Sequence, residues 1–182
     1  MKKLNRAIFL DRDGTLIRDA HYLNSIAGVR LYKGVAGALA TLKKRGFKLI
    51  VISNQSGISR GIVSKTMVEM INRYLSGLLW KASRVRFDAV YYCPHAPQDN
   101  CLCRKPKPDL IQRACRRFNI DLTASYVVGD KICDMDLARA IGVKPLLVLT
   151  GHGRGEYKKL KNRQITKFGN FREATRWILK NE

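Results

Sequence analysis

The sequence predicts an α/β domain, a parallel sheet with helices on both faces. Three observations carry that expectation. Short apolar runs alternate with longer amphipathic stretches and Gly or Asp punctuation, the pattern of strands joined by crossover helices. With 182 residues, 46% of them hydrophobic, the chain fits one domain, 1–182, that buries roughly two-thirds of its unfolded surface. Asp11, Ser53, Cys93 and Asp130 each stand just past the end of a predicted strand, on the edge where open parallel sheets bind ligands.

Ala7-Ile8-Phe9-Leu10 is apolar at every position, so it is read as a first strand buried on both faces and ending in an acidic loop. Residues 34–45 have helical spacing, with Val35, Leu39 and Leu42 on one face and Gly46 as the C-terminal stop. Residues 48–52 form a second strand that runs into the polar loop Ser53-Asn54-Gln55-Ser56-Gly57. A long helix over 64–81 can be capped by Ser64 or Thr66. Strands then follow at 87–92, 125–128 and 145–149, with helices at 109–118 and 135–141. The basic, polar end of the chain is expected to add an edge strand at 164–168 and a closing helix at 171–179. This order describes a Rossmann-like sheet without a large cap, its binding edge covered only by residues 17–33, the cysteine-rich loop and a turn at 151–155.

Lys and Arg number 35 against 14 Asp and Glu, a formal charge of +21. Such a balance implies an anionic partner: nucleic acid, membrane headgroups, or a phosphorylated metabolite steered by the positive field. The basic residues are scattered, as at Lys43-Lys44-Arg45, Arg116-Arg117 and 158–163, and are not interleaved with aromatics. A solvated basic surface is therefore preferred to a dedicated nucleic-acid footprint. The apolar run after Met1-Lys2-Lys3 stops at Asp11, too short for a signal peptide or membrane span, so a cytoplasmic protein is expected. Three of the five cysteines crowd one short loop with a histidine, which also suits a reducing compartment.

Asp11-Arg12-Asp13-Gly14-Thr15 follows directly on the first strand. Two carboxylates two positions apart can divide their work, one as nucleophile and metal ligand, the other as general acid and base. Asp13-Gly14 could instead close a hairpin, but no matching strand follows at hairpin distance. Cys93-Pro94-His95 and Cys101-Leu102-Cys103 offer three thiolates and one imidazole, the donor set of a closed structural zinc site; a reduced, metal-free cluster is the alternative. Arg104-Lys105-Pro106-Lys107-Pro108 comes straight after the last of these ligands, so zinc would stiffen the loop that presents Lys105. Cys115 has core spacing with Ile111 and Phe118, and Cys133 has no nearby metal partner in the sequence.

Asp11-Arg12-Asp13-Gly14-Thr15 resembles the first motif of the haloacid dehalogenase (HAD) superfamily of phosphatases. Ser53 resembles its hydroxyl motif, Lys105 its lysine, and Gly129-Asp130-Lys131-Ile132-Cys133-Asp134 its acidic motif, in the right order. The resemblance implies a phospho-aspartyl intermediate on Asp11 and Mg2+ held by Asp11, Asp13 and Asp130 with Asp134 in support. The physics agrees: a carboxylate can attack an anionic phosphoryl group only where a cation, a lysine and hydroxyl or amide donors offset the charge. The cysteine loop, Ser53 through Gly61 and Cys103-Arg104-Lys105-Pro106 together resemble the D-glycero-D-manno-heptose 1,7-bisphosphate 7-phosphatases and the similar histidinol-phosphate phosphatases. Gln55-Ser56-Gly57-Ile58 and Asp19-Ala20-His21-Tyr22 lean toward the heptose enzymes, while the short stretch between His95 and Cys101 resembles the histidinol type.

The implied substrate-holding residues are Arg12, Asp19, Tyr22, Ser53, Asn54, Gln55, Ser56, Arg104, Lys105 and Lys131, with Arg104 on the second phosphate through a bidentate fork. The implied activity is hydrolysis of the 7-phosphate of a heptose bisphosphate, feeding lipopolysaccharide or a related glycan, by a monomer that meets no membrane. Two other readings stand beside it. A polynucleotide 3′-phosphatase would share a similar Asn-Gln-x-Gly-Ile-x-Arg-Gly loop and account for the charge. A non-catalytic nucleic-acid-binding domain would leave the filled catalytic positions unexplained.

Overall fold

The computed structural model describes residues 4–160 and 165–182. Its strands are β1 (Ala7–Leu10), β2 (Lys48–Asn54), β3 (Ala89–Cys93), β4 (Tyr126–Gly129), β5 (Lys144–Val148) and β6 (Thr166–Phe168). Its helices are α1 (Val35–Lys44), α2 (Lys65–Ser83), α3 (Asp109–Phe118), α4 (Ile132–Ala140), α5 (Gly153–Lys159) and α6 (Phe171–Lys180). All six strands join one sheet in the order β3-β2-β1-β4-β5-β6, and every pair is parallel. The connections reverse direction between β1 and β4, and ligands of doubly wound sheets bind at such a point.

The central strands β1, β2 and β4 are largely apolar because both faces are covered. Alternate residues serve opposite layers: Ile8, Leu10, Leu49, Val51, Tyr126 and Val128 face α1 and α6, while Ala7, Phe9, Ile50, Ile52 and Val127 face α3 and α4. A third, smaller cluster joins Ile17, Leu23 and Val29 to Ile71 and Leu75 of α2, pinning the segment after β1 over the sheet edge. The covering segments are short, as expected: 11–34, 94–108 and 149–152. Among the described residues no helix is long and apolar enough to cross a membrane.

Two expectations are corrected. The helix expected at 135–141 begins at Ile132. Its first turn carries no apolar stripe and is set instead by Asp134, whose Oδ2 accepts the Lys131 N–H at 3.2 Å, a reach-back cap. The turn expected at 151–155 is largely helix, α5. That helix is polar and basic, so periodicity conceals it; Glu156 ties it to α4 by accepting the Ile132 N–H at 3.2 Å. Gly153 packs on the backbone of β5, where a Cβ would stand 1.9 Å from the Val148 carbonyl. The edge strand β6 forms at 166–168, whereas the start expected for it at 164 lies outside the described residues, as do Met1-Lys2-Lys3 and part of the basic stretch 158–163.

Candidate active site

The loops after β1, β2, β3 and β4 meet around a cavity of about 240 Å³. Asp11 and Asp130 end neighbouring strands, and the Asp11 N–H donates to the Val128 carbonyl at 2.9 Å. The topology thus forces two carboxylates together, and Asp134, one helical turn on, makes a third; their oxygens lie within 4.8 Å of one another. Lys105 reaches in from the loop after β3. Its Nζ contacts Asp11 Oδ1 at 2.6 Å and Asp134 Oδ1 at 2.6 Å and donates to the Ile52 carbonyl at 2.8 Å. Burial works against the ammonium, but the Asp11 and Asp134 charges outweigh it and raise the Lys105 pKa.

Lys105, even with the Lys131 charge acting from the cavity wall, does not balance three carboxylates. Asp130 is fully buried, and its Oδ1 has no hydrogen-bond partner among the described residues, while Oδ2 accepts the His152 N–H at 2.7 Å. Gly14 and Gly151 close on this carboxylate from two sides. A Cβ on either would stand 2.1 or 2.3 Å from Asp130 Oδ2, and both residues have positive φ, 84° and 53°. A buried acceptor left without a donor, within an all-oxygen cluster carrying excess negative charge, is the environment a hard divalent cation completes.

Burial and then the Asp11 and Asp134 charges push Asp130 up to about 8. Burial likewise pushes Asp134 up to about 6, against the pull of Lys105. Both values exceed the unfolded carboxyl pKa of about 3.9, so in the window between, the folded state holds protons that the unfolded state has released, and stability falls as pH rises. In magnesium-free buffer the melting temperature is therefore expected to fall from pH 6 to pH 8, and added magnesium to raise it more at pH 8 than at pH 6. Melting curves at both values decide this, and a magnesium-free protein equally stable across the window would contradict it.

Asp13 lies across the cavity with its two oxygens in different settings. Oδ2 accepts from Arg12 Nη2 at 2.9 Å and Gln55 Nε2 at 2.8 Å, whereas Oδ1 has no partner among the described residues. Gln55 Nε2 also donates to Ser53 Oγ at 2.7 Å, and its Oε1 accepts from Arg12 Nη2. Arg12 is 1% exposed and further engaged with Asn72 Oδ1 at 2.8 Å. Arg12 lines the cavity, and its guanidinium also braces Asp13 and Gln55. Asn54 similarly brackets the Lys105 peptide, with Oδ1 accepting the Lys105 N–H at 3.0 Å and Nδ2 donating to its carbonyl at 3.3 Å.

Asp19, Tyr22, Ser53, Ser56, Arg104 and Lys131 all line the cavity with Asp11, Asp13 and Lys105. Asp130 and Asp134 lie beneath it, fully buried. Sequence reasoning missed His21, Cys133 and His152 in the lining and Asn72 behind it. His152 had no residue-type signal, because it holds Asp130 through its backbone N–H; Asn72 sits on α2, far from any motif.

The cysteine loop supports the same edge. Cys93 and Cys101 have Sγ atoms 3.5 Å apart, Cys101 and Cys103 3.7 Å, and His95 Nδ1 lies 3.6 Å from Cys93 and 3.4 Å from Cys103. A tetrahedral ion with bonds of about 2.3 Å has donor separations of about 3.7 Å, so the four side chains are spaced for zinc. The next residue, Arg104, donates from Nη1 to the His95 carbonyl at 3.0 Å, which couples the cluster to the cavity wall.

A family model described as HAD-hydrolase-like matches residues 102–171. D-glycero-beta-D-manno-heptose-1,7-bisphosphate 7-phosphatase of Escherichia coli K12 is 44% identical over 161 residues, covering 83% of each chain. The enzyme of the same name from Haemophilus ducreyi is 41% identical over 153 residues, covering 80% of this chain and 84% of that one. Among solved structures, D,D-heptose 1,7-bisphosphate phosphatase from B. bronchiseptica, complexed with magnesium and phosphate, superposes with a TM-score of 0.89 at 28% identity, covering 97% of this chain and 99% of that one. The Burkholderia thailandensis enzyme superposes at 0.74 with 25% identity, covering 96% and 99%.

Proposed function

From the premise that this chain belongs to the D-glycero-beta-D-manno-heptose-1,7-bisphosphate 7-phosphatase family of HAD-like hydrolases, we propose that it removes the 7-phosphate of that heptose bisphosphate through a phosphorylated Asp11. The observation that carries the reading is Lys105 bridging Asp11 and Asp134 at 2.6 Å each, with Asp13 across the same cavity. Because Lys105 holds Asp11 Oδ1, Oδ2 is the oxygen left to attack phosphorus. As the bond from phosphorus to the sugar oxygen breaks, Asp13 Oδ1 gives that oxygen a proton, its other oxygen being fixed by Arg12 and Gln55. Asp13 then takes a proton from water, whose oxygen attacks phosphorus; the bond to Asp11 breaks and phosphate leaves.

Magnesium, held by the Asp11 and Asp130 carboxylates and the Asp13 carbonyl with Asp134 in support, supplies a positive centre for the phosphoryl charge. Ser53 and Lys105 hold the transferring phosphate. Arg104, Lys131, Asp19, Tyr22 and Ser56 position the rest of the sugar, with Arg104 on the phosphate that stays. Phosphate release should be measured with magnesium on the heptose bisphosphate, histidinol phosphate and a 3′-phosphorylated DNA end. The heptose bisphosphate is expected to dominate, and equal slow turnover of all three would sink the substrate assignment.

Zinc at Cys93, His95, Cys101 and Cys103 stiffens the loop that carries Arg104 and Lys105. Cys101→Ser is expected to lose zinc by elemental analysis and to lower the melting temperature by at least about 5 °C, since loss of a structural metal is among the larger single-residue effects. It should also slow turnover without removing any group in contact with substrate. A zinc-free variant that melts and turns over like the parent would leave the loop self-supporting.

A further inference from the structure

The chain has three histidines. His95 lies in the cysteine cluster; the other two, His21 and His152, come together with Asp19 at the mouth of the cavity, and no step of the reaction above uses either imidazole. A nitrogen from each ring and a carboxylate oxygen all lie within 4.8 Å of one another. His152 Nε2 is 3.0 Å from Asp19 Oδ2, and the two imidazole centroids are 6.3 Å apart. Asp19 Oδ1 accepts the His21 N–H at 3.0 Å, which fixes the carboxylate and turns Oδ2 toward the pair.

We propose that Asp19, His21 and His152 bind a divalent first-row transition-metal ion, of the zinc or cobalt kind, at the entrance to the phosphatase cavity. Two imidazoles and one carboxylate form a triad that such ions take with coordination positions left open, and imidazole donors disfavour magnesium and calcium. The open positions have room: the same three residues also line an outer cavity of about 410 Å³ with Arg18, Tyr32 and Gly151. Among the described residues Asp19 is paired with Lys131, whose Nζ is 3.5 Å from Oδ2, and an ion at the triad would displace that lysine. The site is distinct from the inner acidic cluster but not isolated from it, because the His152 backbone donates to Asp130 Oδ2 at 2.7 Å. Asp19 is shared with the wall that positions the sugar, but the inference does not rest on the sugar-phosphate assignment, because it concerns a nitrogen-donor site outside the acidic cluster.

The test titrates cobalt into zinc-loaded full-length protein in saturating magnesium, so that the cysteine cluster and the acidic cluster are filled. One further equivalent of cobalt is expected, with the weak visible bands of nitrogen and oxygen ligation and no intense sulfur-to-metal band. His21→Ala and His152→Ala should each weaken this ion by at least about tenfold, the cost of losing even a supporting partner in metal sites. The double variant should not bind it, while keeping its zinc and its melting temperature. No additional cobalt in the parent, a sulfur band, or equal binding in the double variant would each overturn the site.

Discussion

Asp11→Asn is expected to reduce phosphatase turnover by at least about 10⁴-fold, the scale of nucleophile removal in enzymes that work through a covalent intermediate. The amide has the shape of the carboxylate but cannot form the aspartyl phosphate, so no compensating route remains. The variant should still fold. It removes one of three crowded carboxylates whose charge raises both Asp130 and Asp134, and Lys105 keeps Asp134 as a partner at 2.6 Å. Its melting temperature in magnesium-free buffer should be at least that of the parent, and magnesium should bind more weakly. Steady-state rates with matched circular dichroism check this; a folded variant retaining a hundredth of the parent rate would remove Asp11 from the nucleophile's role.

Lys105→Met is expected to damage both stability and catalysis. Lys105 is 5% exposed and its Nζ is the ammonium shared by Asp11 and Asp134. A methionine fills much the same space but leaves buried carboxylates facing one another, and breaking a buried ion pair from one side costs about 3–5 kcal/mol. The loss is greatest where Asp130 and Asp134 are ionised, toward pH 8 and above, and shrinks as they take up protons near pH 6 and below. Turnover should also fall by about 10²–10³-fold, the effect of removing one donor aimed at developing charge. Lys107→Met is the control: that lysine is exposed and donates to the carbonyls of Asn100 and Cys101. Denaturant unfolding of both variants at pH 6 and pH 8 measures the contrast. Equal stability of Lys105→Met and the parent at pH 8 would mean that the acidic cluster does not depend on its lysine.

Much of the fold was legible in the sequence because β1, β4 and the middle of β2, residues 49–52, are apolar without interruption and α1, α2, α3 and α6 carry an apolar stripe. β1 and α3 fall where the sequence places them, and Ser64 caps α2 by accepting the Met67 N–H at 3.0 Å. What escaped was polar: the first turn of α4 and the whole of α5 are held by Asp134 and Glu156 bonding to backbone, not by burial of a stripe. Residues such as Asn72 and His152 escaped for a related reason. Their contribution is hydrogen bonding across the fold, which leaves no pattern along the chain.

The sequence by itself determined which chemistry the chain can perform, because nucleophile, acid, lysine and metal ligands are residue types that must be present at strand ends for phosphoryl transfer to occur. Only the tertiary structure decided how they share the work. Arg12, in the cavity wall, braces Asp13, Gln55 and Asn72 through its guanidinium, and His21 and His152, more than a hundred residues apart, met at Asp19. Distance along the chain carries no information about such encounters; the β1 and β4 loops came together because parallel pairing sets their strands side by side, and side chains then found the partners that burial required.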